Sequence, residues 1–128
     1  MKIALAAAAL LALTACASAP RPADQAFDPA ATRFVGYLRF EEGEFQLYER
    51  EAQVRAPFAR PCVSGALPLN AQRSARSDLS GQKVTLTGRA MAWPANAPAG
   101  GIDYEGSQIR NTCGGAHVIQ AVDVSVIR

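Results

Sequence analysis

Cys62, Cys113 and His117 are the residues of this chain best suited to chemistry. A cysteine and a histidine four apart can supply a nucleophile and its base. With the second cysteine they make three candidate metal ligands. The spacing works against both uses. Cys113 and His117 are separated by Gly114-Gly115, and His117 opens a β-rich stretch. On a strand, residues four apart share a face but lie about 13 Å from each other. A dyad would need a turn that folds the two back together. The competing use of the two cysteines is a disulfide.

Other chemical groups are sparser. Glu41, Glu42 and Glu44 flank Gly43 in a predicted bend. They could serve a Ca²⁺ or acid–base site, but solvated turn carboxylates are the simpler expectation. Asp103 and Glu105 share a face at strand spacing and are expected to be exposed. Arg73 and Arg76, three apart on a short predicted helix, could bind an anion, but a solvated face is the simpler expectation. The sequence holds no phosphate-binding loop, no nucleophile elbow, no zinc-protease helix and no dinucleotide fingerprint. No metal, cofactor or catalytic set is expected.

The first sixteen residues set the compartment. Met1-Lys2 is a short basic start, followed by an apolar run to Leu13 and then Leu13-Thr14-Ala15-Cys16. Basic, apolar and small-residue regions in that order describe an export signal. The run is far short of the ~20 residues of a spanning helix. Leu13-Thr14-Ala15-Cys16 resembles a bacterial lipobox. That resemblance implies that residues 1–15 are a signal peptide. Cys16 would then be lipidated and become the first residue of the processed chain. Ala17 occupies the position where an aspartate implies inner-membrane retention, so the resemblance points to an outer-membrane lipoprotein facing the periplasm.

With Cys16 assigned to lipid, Cys62 and Cys113 form an even pair in an exported domain. Such pairs are usually joined in an oxidising compartment. The long closed loop makes that staple worth roughly 4 kcal/mol, a large fraction of a small domain's stability.

Residues 16–32 contain Pro20, Pro22 and Pro29 among alanines and no apolar period. They read as a flexible tether. Residues 33–128 are then one small domain. The net charge of +2 argues against a nucleic-acid binder.

The domain reads as all-β. Phe34, Gly36, Leu38 and Phe40 share one strand face, and Phe45 and Leu47 share a face of the returning strand. After Tyr48, the charged Glu49-Arg50-Glu51 precedes Val54, a candidate extension of the strand. Proline-punctuated chain from Ala56 to Leu69 holds a short edge strand around Cys62–Leu67. Asn70–Asp78 suits one short helix, with Asn70 as its cap. Val84, Leu86, Gly88, Ala90 and Ala92 line one face of a long strand, and Gly88 marks a bulge or bend. Ile102–Ile109 reads as a weaker strand. In the last strand Val118, Gln120, Val122, Val124 and Val126 share a face, and this valine face is expected to meet the core.

Five or six short strands with Gly and Pro turns describe a small barrel, with a β-sandwich as the alternative. The paired opening strands, the Leu79-x-Gly81-x-Lys83-Val84-Thr85-Leu86-Thr87-Gly88-Arg89 stretch and the closing valine strand resemble OB-fold proteins. The helix that joins the third and fourth OB strands is not evident after Trp93.

Tyr37, Tyr48 and Trp93 lie opposite the expected core faces. Aromatics on an OB-like sheet stack on bases or sugars. Here the charge and compartment leave glycans, peptides or proteins. The competing expectation is that these rings fill a second core. Two functions follow. One is a non-catalytic envelope lipoprotein that binds or assembles with a protein, peptide or glycan. The other is a small metal, redox or thiol enzyme using Cys62, Cys113 and His117.

Overall fold

The computed structural model describes residues 27–56 and 61–128. The expected signal peptide, Cys16 and most of the expected tether lie outside the described residues. Among the described residues nine elements follow in order: β1 (Arg33–Glu41), β2 (Glu44–Tyr48), α1 (Glu51–Val54), β3 (Cys62–Ala66), α2 (Leu69–Asp78), β4 (Lys83–Ala92), β5 (Ile102–Tyr104), β6 (Ser107–Ile109) and β7 (His117–Val126). Strands β1-β2-β3-β7-β4 close into a barrel, and β5-β6 form a separate hairpin. All barrel pairs are antiparallel except β3 with β7. This is the small OB-like barrel rather than a sandwich.

The OB helix is present after all. It is α2, placed between β3 and β4. Counting the Cys62–Ala66 stretch as the third barrel strand moves the expected helix position from beyond Trp93 to the Leu69–Asp78 segment. Its cap is Pro68 rather than Asn70, and proline's fixed φ suits a helix start. The amide of Leu69 donates to the Glu105 carbonyl at 3.0 Å, which satisfies one orphan donor of the first turn. Glu51–Val54 forms the short helix α1 instead of prolonging β2. The Ile102–Ile109 strand is split into β5 and β6 by Glu105-Gly106, both at positive φ, as a two-residue hairpin turn requires.

Strand alternation fills the barrel. Phe34 and Leu38 of β1, Phe45 and Leu47 of β2, and Val84 and Leu86 of β4 are buried together with Leu67 and Ala75. Each such large apolar side chain contributes about 1.5–3 kcal/mol.

In β7 the valine face does not hold. Thr87 pairs with Asp123, but Gly88 pairs with Ala121, so Val122 has no partner across the ladder. This bulge inverts the alternation. Ile119 and Ala121 face the core before it, and Val124 and Val126 pack on the core after it. Val122 itself is 63% exposed. Gly88 permits the bulge, because a Cβ there would overlap the Gln120 carbonyl oxygen and lie 2.8 Å from the Ala121 Cα. The Gly88 amide instead donates to the Thr32 carbonyl at 3.0 Å.

Folded contacts begin before Arg33. Phe27 meets Phe34 edge-on, with ring centroids 6.5 Å apart, and Phe27 and Ala31 pack against the main core. The end of the expected tether thus forms part of the domain. No helix among the described residues is long and apolar enough to cross a membrane.

Candidate functional site

Strands β2 and β3 form the face on which OB barrels bind oligonucleotides and oligosaccharides. Alternation turns Phe45 and Leu47 inward, so Gln46 and Tyr48 point out beside their β3 partners Ser64 and Cys62. In this chain that outer face is not open. All five residues of β2 and all five of β3 are buried. The segment between β4 and β7 folds over them as a cap.

Covalent and polar bonds hold the cap. Cys62 and Cys113 form a disulfide with Cα atoms 5.5 Å apart. The Cys113 amide donates to the Ser64 hydroxyl oxygen at 3.0 Å. The Thr112 amide donates to Glu44 Oε1 at 3.0 Å, and Gln46 Nε2 donates to the Thr112 hydroxyl oxygen at 3.1 Å. Ser107 donates its hydroxyl to the Leu67 carbonyl at 2.7 Å. The turn is shaped by Asn111, at φ 57°, whose side-chain amide donates to the Gly115 carbonyl at 2.8 Å. Under the hairpin, Ile109 packs on Ala66 and Val118, with Met91, Trp93 and Tyr104 around them. The cap thus supplies partners to Ser64, Glu44 Oε1 and Gln46 Nε2 in place of solvent, while Glu44 Oε2 and Gln46 Oε1 have no hydrogen-bond partner among the described residues.

Glu44 is the unusual member. It is fully buried, and its Oε2 has no hydrogen-bond partner among the described residues. Burial pushes its carboxyl above the ordinary value. Hydrogen bonding from Thr112, Ser64 and Asn111 opposes that shift without cancelling it. The sequence placed Glu44 with Glu41 and Glu42 in a solvated turn. Local pattern could not show that a segment some 70 residues later would cover it. The cysteine pair was the only hint of such a cover.

The other sequence-selected residues separate. Tyr48 is 3% exposed and packs with the disulfide and Val54, so it offers no stacking surface to a ligand. Tyr37, its cross-strand partner, is half-buried, with the Lys83 ammonium 6.0 Å from its ring centre. Trp93 belongs to the group beneath the hairpin. Tyr37 and Tyr48 therefore adjoin, while Trp93 stands apart in a second apolar cluster. His117 lines a cavity of about 20 Å³ at the barrel end, with Phe27, Phe34 and Val63. The two sulfurs are bonded to each other, so neither is a thiolate nucleophile or a metal ligand in this state. No group of three His, Cys, Asp or Glu side chains among the described residues is arranged to hold a metal ion.

One larger opening adjoins the capped face. It is a cleft of about 140 Å³ between the β1–β2 turn and α2, lined by Phe40, Gly43, Leu69, Gln72, Arg73 and Arg76, with Glu41 and Glu44 at its turn side. Gln72 fixes its width. Its Oε1 accepts the Leu67 amide at 3.0 Å, and its Nε2 donates to the Gly43 carbonyl at 3.3 Å.

No family model, curated protein or solved structure matches this chain.

Proposed function

We propose that this chain is a lipid-anchored protein of the bacterial envelope. Cys16 holds it on the outer membrane facing the periplasm, and its barrel is a non-catalytic module that binds a protein, peptide or glycan. The observation that supports this most is the Cys62–Cys113 disulfide across the cap. A bond of this kind persists in an oxidising compartment. It also removes both thiols from the enzyme reading, which needed them with His117. The Leu13-Thr14-Ala15-Cys16 sequence supports the anchor, and several acyl chains on one cysteine would hold the protein stably.

The test is to express the full chain with a bacterial export pathway and follow it through membrane fractionation, alongside Cys16→Ala. The native chain is expected in the membrane fraction with lipid on Cys16, and the variant is expected unlipidated. A native chain recovered without lipid would overturn the anchor. Thiols that react without reductant would return the enzyme reading.

A further inference from the structure

We propose that the cleft between the β1–β2 turn and α2 takes the carboxylate end of a peptide whose last side chain is small or apolar. This names a ligand class for the binding module and rests on that reading.

Charge carries the argument. The turn sequence Glu41-Glu42-Gly43-Glu44 looks acidic, yet each carboxylate is engaged elsewhere. Arg39 lies 3.5 Å from Glu41. Arg110 lies 2.9 Å from Glu42. Glu44 is buried behind the turn and accepts the Thr112 amide. Arg73 and Arg76 have no carboxylate partner among the described residues. The cleft therefore presents two uncompensated guanidinium groups beside a turn whose Glu41 and Glu42 are paired with other arginines and whose Glu44 is buried. Arginine's planar fork suits a carboxylate bidentately.

Shape limits the ligand. The cleft's 140 Å³ is well below the ~300–1,000 Å³ of a pocket for a drug-sized molecule. It has room for a terminal residue rather than a whole nucleotide or sugar chain. Phe40 and Leu69 supply an apolar wall for that residue. The open Gly43 turn, where a Cβ would meet nothing within 4 Å, leaves the entrance clear. Capture of a chain terminus is a recurring mode of peptide recognition.

The probes are N-acetyl-Ala-Ala with a free carboxylate and the same dipeptide amidated. Each is titrated into the full chain in detergent at pH 7, with NMR shifts read at the Gly43 amide and the Gln72 side-chain amide. The acid is expected to bind at least about tenfold tighter than the amide, equivalent to about 1.4 kcal/mol. Arg73→Gln with Arg76→Gln, both at exposed positions, is expected to erase that preference with the melting temperature unchanged. Arg33→Gln with Arg89→Gln should preserve it. Equal binding of acid and amide would overturn the proposal. So would silence at both probes up to about 10 mM peptide, a regime weaker than about 2.7 kcal/mol. Matching shifts with inorganic phosphate would also overturn it, by revealing a general anion site. These failures leave lipidation of Cys16 and the disulfide untouched. An unlipidated, thiol-reactive chain that still preferred the acid would sink the envelope reading alone.

Discussion

The amide of Cys113 donates to the hydroxyl oxygen of Ser64 at 3.0 Å, while its sulfur is bonded to Cys62, two residues earlier on the same strand. One cap residue is thus held twice by β3, once covalently and once by a buried hydrogen bond. The face that OB barrels use for ligands becomes an interior. Among the described residues, the cleft beside α2 and the β1–β4–β7 side, where the exposed Val35, Val122 and Ile127 lie, remain open to solvent.

Removing the staple tests how much of the domain's stability it supplies. Cys62 and Cys113 are 51 positions apart. Cys62→Ala with Cys113→Ala is expected to lower stability by about 4 kcal/mol. Urea unfolding of the oxidised chain and the double variant measures this. A difference under about 1 kcal/mol would show that the cap's packing and hydrogen bonds suffice without the bond.

Glu44 gives the domain a defined pH response. Burial makes its neutral form the better fit, so the folded state keeps a proton that the unfolded chain loses above about pH 4.5. Its contribution is fully present below that pH. It declines as pH rises toward the elevated folded value and then levels. Glu44→Gln keeps an acceptor for the Thr112 amide and removes the charge. The variant should match or exceed the native chain in stability at pH 7, and the gap should close on acidification below pH 4.5. Melting temperatures across pH 3.5–8 decide it. A variant less stable at pH 7 would mean that the ionised carboxylate is the favoured form.

The β7 bulge is tested by two substitutions three residues apart. Ile119→Ala removes a fully buried core side chain and should cost about 2–5 kcal/mol. Val122→Ser alters the unpaired bulge residue and should stay within about 0.5 kcal/mol. Chemical unfolding compares them. A larger cost at Val122 would restore the uninterrupted valine face.

That contrast marks what was legible in the sequence. Phe34, Leu38, Phe45 and Leu47 show a clean two-residue period, and their side chains fill the barrel. In β7 every residue from Val118 to Val122 except Gln120 is apolar, so period alone could not reveal an inserted residue. The signal lay across the ladder, in Gly88. The disulfide was legible from the cysteine count together with the expected export signal. The burial of Tyr48 and Glu44 was not, because both lie on strands whose outward positions are hidden only by a distant cap. The Arg73–Arg76 pair was visible, but the engagement of the neighbouring glutamates by Arg39 and Arg110 was a tertiary fact.

The start of the folded domain is measurable at Phe27. Its ring packs on Phe34 and the main core while keeping some solvent contact. Phe27→Ala should destabilise by about 1–2 kcal/mol, less than the 3–5 kcal/mol of a fully buried Phe. Thermal unfolding reads the change. No change would return residues up to Thr32 to the tether.

The central claim is an anchored, disulfide-capped module, and the intact mass of membrane-extracted protein after thiol alkylation tests it most directly. The account predicts a chain beginning at Cys16 that carries lipid, with no alkyl adduct until reductant is added and then adducts at Cys62 and Cys113. Adducts at both cysteines without reductant, on a chain bearing no lipid, would contradict it.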